Sequence, residues 1–158
     1  MLFRSGKGTL FYVYFPIEKS FSEIQVTHST APIRGGTEHI LFVDDEEVIL
    51  KMERQMLERL GYQVTSRTSS LEALEAFRKN SDKFDMVITD MAMPNMPGDK
   101  LSVELTKICP DIPVLLCTGF SETMSEEKAA SLGIKGFLLK PIIMKDLAQK
   151  IREVLDKK

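Results

Sequence analysis

The chain has 158 residues, 43% hydrophobic and 28% charged, which suits one compact domain with a short appendage and leaves no room for a second full domain. Its 21 basic and 23 acidic residues leave a formal charge of −2, so charge alone invites neither nucleic acid nor an anionic membrane. The longest apolar runs, residues 10–17 and 112–117, are far shorter than the ~20 residues that cross a bilayer, and the N-terminus lacks the order of parts of a secretory signal. The expectation is a cytoplasmic protein in which Cys109 and Cys117, each inside an apolar segment, stay reduced as small core residues.

Residues 1–17 carry Gly6, Lys7, Gly8 and Thr9 ahead of an uncharged, β-prone aromatic run. Residues 18–37 are rich in Ser and Thr, show no sustained apolar period and close with Pro32, Gly35 and Gly36, which reads as a linker. From residue 38 to 158, apolar runs of strand length alternate five times with amphipathic stretches of helix length. That is the α/β pattern of a parallel sheet covered by helices on both faces.

The predicted strands are 39–43, 62–66, 84–89, 112–118 and 134–139; the first, third and fourth are nearly continuous Ile/Leu/Val runs and should be central. Ile49, Met52, Met56, Leu57 and Leu60 recur at helical spacing before Gly61, which stands where a C-terminal cap belongs. Ser69 and Glu72 form a capping-box pair ahead of a helix with Leu71, Leu74 and Phe77 on one face. Leu101, Leu105 and Ile108 mark a third helix that Pro110 prevents from continuing, and Leu147, Ile151, Val154 and Leu155 mark the last. Between them Thr123 and Glu126 could cap a fourth helix, whose stripe of Met124, Ala129 and Leu132 is thin.

In an open parallel sheet the C-terminal strand ends converge on one edge, and ligands bind there. The first strand runs into Asp44, Asp45 and Glu46, the third into Asp90, the fourth into Thr118 and Gly119, and the fifth into Lys140 and Pro141. Asp44 and Asp45 by themselves read as a helix N-cap with acids in the first turn, Lys140 as a solvated end-of-strand charge, and Thr118 as a turn residue. Together they read differently. Gathered carboxylates repel one another unless a cation is present, and all-oxygen ligation suits Mg²⁺. Carboxylates, an ammonium and a hydroxyl around Mg²⁺ are what phosphoryl transfer to a carboxylate requires.

Through Asp44 and Asp45, residues 90–98 (Asp-Met-Ala-Met-Pro-Asn-Met-Pro-Gly), Thr118 with Gly119, and residues 137–141 (Phe-Leu-Leu-Lys-Pro), the sequence resembles the response-regulator receiver family over roughly residues 38–156. The resemblance implies a doubly wound, flavodoxin-like five-stranded parallel sheet of order 2-1-3-4-5. It implies that Asp90 accepts a phosphoryl group from a phosphohistidine donor. Asp44 and Asp45 would hold Mg²⁺ with Asp90 and the Ala92 backbone carbonyl. Lys140 would contact the phosphoryl oxygens, Thr118 would swing to hydrogen-bond one of them, and Phe137 would change rotamer behind it. A cis Lys140–Pro141 bond is allowed by the same likeness. Phe137 stands where relatives often carry Tyr, so a switch needing a phenolic hydroxyl is excluded, and Phe120 falls near the site rim.

Gly6, Lys7, Gly8, Thr9, Leu10 and Phe11, followed by Tyr14, Phe15 and Pro16, resemble the last glycine box and terminal strands of a sensor histidine kinase ATP-binding domain. The rest of such a domain is missing, and neither His28 nor His39 has the surroundings of a phosphoaccepting histidine, so no kinase activity is expected. A phosphate-binding P-loop fails too, because it needs a glycine four residues earlier and a lysine followed directly by Ser or Thr. The chain is therefore expected to be the C-terminal piece of a hybrid histidine kinase: 1–17 a kinase remnant, 18–37 a linker, 38–158 a receiver. Residues 9–17, without their native neighbours, would pair with a second copy, giving a homodimer through this strand, or fold onto the receiver. Two rivals keep the fold: a docking or dimerisation module never phosphorylated in the cell, and a magnesium-dependent phosphatase of small molecules. The second usually needs a lid, and no inserted segment is long enough for one.

Overall fold

A computed structural model describes residues 2–3, 9–10, 12–14, 33–119, 129 and 132–156. The chain divides into two compact units, Met1–Ala31 and Pro32–Lys158. In the first, β1 (Leu2–Phe3) pairs antiparallel with β2 (Thr9–Leu10), in the register Leu2 to Leu10. Of the predicted strand 9–17, Thr9 and Leu10 thus pair within their own unit, while Phe11 and residues 15–17 lie outside the described residues. The strand is also shorter than expected, since Tyr12, Val13 and Tyr14 are exposed and in no regular element. Gly6 to Gly8 and most of the linker lie outside the described residues.

The second unit contains β3 (His39–Val43), α1 (Glu47–Arg59), β4 (Gln63–Arg67), α2 (Ser70–Lys79), a 3-10 turn (Ser81–Lys83), β5 (Met86–Asp90), α3 (Gly98–Ile108), β6 (Val114–Thr118), β7 (Ile134–Leu139) and α4 (Met144–Leu155). All strand pairs are parallel, in the spatial order β4-β3-β5-β6-β7. Counted within this unit the order is 2-1-3-4-5, as expected. The three continuous apolar runs occupy the centre because they must bury both faces. Ile40 and Phe42 meet α1 and α4 through Leu57, Leu147 and Ile151. Leu41 and Val43, one residue out of phase, meet α2 and α3 through Ala73, Phe77, Leu101 and Leu105. Among the described residues no helix is long and apolar enough to cross a membrane.

Several predicted boundaries shift. β4 begins at Gln63, because buried Tyr62 still belongs to the turn closing α1. β5 begins at Met86 and β6 at Val114, where Pro113, lacking an N–H, contributes only its carbonyl to Val87. The α1 ending is as predicted: Gly61 has φ +96°, its N–H donates to Glu58 O, and Tyr62 N–H donates to Leu57 O, the paired bonds of a Schellman cap. Ser69 is the N-cap of α2, but its side chain makes no capping hydrogen bond. Met52, Leu71 and Ile108, expected in apolar stripes, are exposed at the stripe edges. The inner line of α1 is instead Leu50, Glu53 and Leu57. Apart from Ala129 and Leu132, the expected fourth helix lies outside the described residues, as does Phe120.

Candidate functional site

Each central strand delivers one polar group to the C-terminal edge. β3 is buried on both faces through Val43, so Asp44 is carried to the sheet's end with 1% of its surface exposed. Its Oδ1 accepts the Glu46 N–H at 2.8 Å, turning the chain into α1, and its Oδ2 is left to face the crevice. β5 ends in Asp90, also buried, whose Oδ2 accepts the Ala92 N–H at 2.9 Å. β6 ends in Thr118, whose carbonyl accepts the Lys140 N–H at 2.8 Å, so the residue following β7 is drawn across toward β5. The Lys140–Pro141 bond is cis.

These strand ends meet on one nitrogen. Lys140 Nζ donates to Asp44 Oδ2 at 2.8 Å and pairs with Asp90 Oδ1 at 2.7 Å. Burial pulls the ammonium's pKa down, but hydrogen bonds and charge from Asp44 and Asp90 outweigh it, so Lys140 is held well above the ordinary lysine value. The cation therefore compensates two buried acids, one of them 96 residues away in sequence.

Of the seven residues singled out from the sequence, Asp44, Asp90 and Lys140 are bonded together, and Ala92 joins them through its amide. Asp45 is exposed beside Asp44, so two of the three expected acids share the ammonium. Among the described residues no group of three or more His, Cys, Asp or Glu side chains stands arranged to hold a metal ion. Thr118 is half-buried at the end of β6, and Phe137, on β7 opposite Leu116, packs with Leu116, Ala129 and Ile134.

Two further contributors are Glu53 and Gly98, to which the sequence assigns no role of their own. Glu53, on the inner face of α1, is 3% exposed; burial raises its pKa to about 7, with Lys140 lowering it and Asp44 and Asp90 raising it. Its signal in the sequence is its place between Leu50 and Leu57 in the helical period. Gly98 opens α3 pressed against the end of β5: its N–H donates to Met91 O at 3.0 Å, and a Cβ there would collide with the Asp90 carbonyl and stand 3.0 Å from Leu116 Cδ2. Gly98→Ala should therefore push on the backbone of Asp90 and cost about 1–3 kcal/mol in urea denaturation. An unchanged midpoint would show that α3 yields freely.

A family model described as the response regulator receiver domain matches residues 40–152. Sensor kinase CckA of Brucella abortus (strain 2308) is 31% identical over 160 residues, covering 96% of this chain. This chain spans only 17% of that relative's length. The crystal structure of a response regulator receiver domain protein from Clostridium thermocellum is 34% identical, with TM-score 0.71 over 76% of this chain and 95% of that one. A neighbour in fold at 21% identity is the receiver domain of sensor histidine kinase PA1611 from Pseudomonas aeruginosa PAO1, which has a magnesium ion coordinated in its active-site cleft. Its TM-score is 0.67 over 77% of this chain and 99% of that one. With the family model covering most of the chain and the strand order and crevice already in place, this chain belongs to the response regulator receiver domain family.

Proposed function

We propose that this receiver domain is a phosphoacceptor that takes a phosphoryl group from a phosphohistidine onto Asp90 with Mg²⁺ as its cofactor. The observation that carries the reading is the Lys140 ammonium shared by the buried carboxylates of Asp44 and Asp90. In the reaction a carboxylate oxygen of Asp90 bonds to phosphorus while the phosphorus–nitrogen bond to histidine breaks. The electron pair stays on the imidazole, which takes up a proton. Lys140 is close enough to Asp90 to follow the transferring oxygens, and Thr118, from the next strand, hydrogen-bonds one of them. Phe137 then repacks behind Thr118. The ~−1.5 to −2 charge gained must be matched by these groups, and that differential interaction biases the surface formed by the fourth helix region, β7 and α4.

The donor set fits a hard divalent cation: buried carboxylates of Asp44 and Asp90, the exposed carboxylate of Asp45 and the Ala92 carbonyl are all oxygens, in a pocket that already draws in positive charge. When bound, Mg²⁺ supplies charge neutralisation for the transferring group. On this reading the chain catalyses only its own phosphorylation and dephosphorylation, in the cytoplasm. Residues 1–17 are a kinase remnant, consistent with an alignment to CckA that covers 96% of the chain and so reaches beyond the receiver match. The parent is then a hybrid histidine kinase.

The test is incubation with Mg²⁺ and beryllofluoride, a phosphoryl mimic. A magnesium-dependent rise in melting temperature that Asp90→Asn abolishes is expected. Silence in both proteins would favour a docking module, and turnover of generic phosphate esters a small-molecule phosphatase.

A further inference from the structure

At the end of the sheet opposite the crevice, the chain entering β3 is tied to the last helix. Gly36 N–H donates to Leu60 O at 3.1 Å, and the Glu38 carbonyl accepts Gln63 N–H at 3.0 Å, so residues 36–38 run against the end of α1. Gly35 has no room for a Cβ, which would collide with the Leu60 carbonyl; one on Gly61 would stand 2.6 Å from Gly36 O. The two glycines before the receiver are therefore a close backbone approach rather than a loose hinge. Arg152 of α4 then closes over this segment. Its Nη1 pairs with Glu38 Oε1 at 2.7 Å and its Nη2 with Asp156 Oδ1 at 2.9 Å, and Asp156 in turn lies 3.9 Å from Arg34 Nη1.

This polar knot is poor glue. Among the described residues, Glu38 Oε2, Tyr62 Oη and Arg152 Nε are buried there without a hydrogen-bond partner. A buried ion pair roughly breaks even against its desolvation, and unpaired buried polar atoms tilt it further. What such a knot contributes is position: it fixes where the incoming chain sits while leaving the closed state easy to open. Its cation belongs to the helix whose other contacts, through Leu147 and Ile151, reach Leu138 on β7, two residues before Lys140.

We propose that Arg152 and Glu38 form a latch through which displacement of α4 is transmitted to the chain entering the receiver. This rests on the phosphoacceptor reading, because the displacement is the one that loading Asp90 sets off. The segment before β3 is then a coupling element, and a receiver grafted onto a different N-terminal neighbour without residues 34–38 would switch its own surface but send nothing backward.

Amide hydrogen exchange on the full chain tests this, with Arg152→Gln and Glu38→Gln opening the latch from its two sides. In the parent protein the Gly36 amide should be protected and change its exchange rate at least about twofold when Mg²⁺ and beryllofluoride are added. In both variants it should exchange roughly tenfold faster and ignore the loading, while the Ala92 amide at the crevice still responds. Equal Gly36 exchange in all three proteins overturns the latch. A response at Ala92 with none at Gly36 in the parent overturns the transmission alone, and silence at Ala92 as well removes the phosphoacceptor reading together with it.

Discussion

Replacing Lys140 with methionine is expected to destabilise the metal-free protein by about 3–5 kcal/mol and to abolish phosphoryl acceptance. Methionine keeps much of the length of the side chain but removes the charge that Asp44 Oδ2 and Asp90 Oδ1 share at 2.8 and 2.7 Å. Both acids are carried into the crevice by strands buried on both faces, with Asp44 at 1% exposure, so neither can swing into water to recover its hydration. The cost is that of leaving two buried negative groups facing each other without a cation, which is far larger than the net worth of the pair. Magnesium should therefore rescue part of the loss, because a divalent ion supplies the missing charge. Urea denaturation of the variant in chelator and again in millimolar Mg²⁺ reads both effects. A variant as stable as the parent in chelator would mean the carboxylates are solvated after all.

Glu53 sets the second large expectation, a loss of stability with rising pH. Its carboxyl is raised from the ordinary 4.5 to about 7 by burial, with Asp44 and Asp90 adding to the rise and Lys140 opposing it. In the unfolded chain it ionises near 4.5, while in the folded protein it keeps its proton until about pH 7. The unfolded state thus binds fewer protons between these values, and folding stability falls as pH rises through them. At ~1.4 kcal/mol per pH unit the penalty reaches about 3 kcal/mol by pH 8. Glu53→Gln removes this titration while leaving every other group in place. The difference in unfolding free energy between variant and parent, measured in chelator, should climb by about 3 kcal/mol in the variant's favour from pH 4.5 to 8. A flat difference would mean that Glu53 is ionised in the folded protein at all these values.

The parts of the fold that the sequence displays are those where one force decides. Strand β3 and strand β7 have the predicted ends, and the central position of β3, β5 and β6 follows from runs that must bury both faces. Legibility fails where two forces compete. Met52 and Leu71 satisfy a helical period yet lie at stripe edges, because Glu53 and the smaller Ser70 and Ala73 take the inner positions. Ser69 occupies the capping position without making the capping bond, since the chain's direction there is set by the packing of α2 against β3 and α3. In the crevice, residue identities at strand ends pointed to Asp44, Asp90 and Lys140. The backbone contributions, from Glu46 N–H and Ala92 N–H, have no side-chain signature. Glu53 is hard to pick out because a glutamate in an amphipathic helix ordinarily faces water. Residues 34–37 read as the end of a linker and Glu38 as the start of the receiver, and composition carries no sign that Arg152, more than a hundred residues later, closes on Glu38.

Phosphoryl acceptance at Asp90 requires that the acids at the ends of β3 and β5 jointly grip a divalent cation, and calorimetric titration of the purified chain with Mg²⁺ measures that without any partner. One ion per chain is expected, with affinity weakened at least roughly tenfold by either Asp44→Asn or Asp90→Asn. No saturable heat in the parent protein, or affinity unchanged by both substitutions, would contradict it.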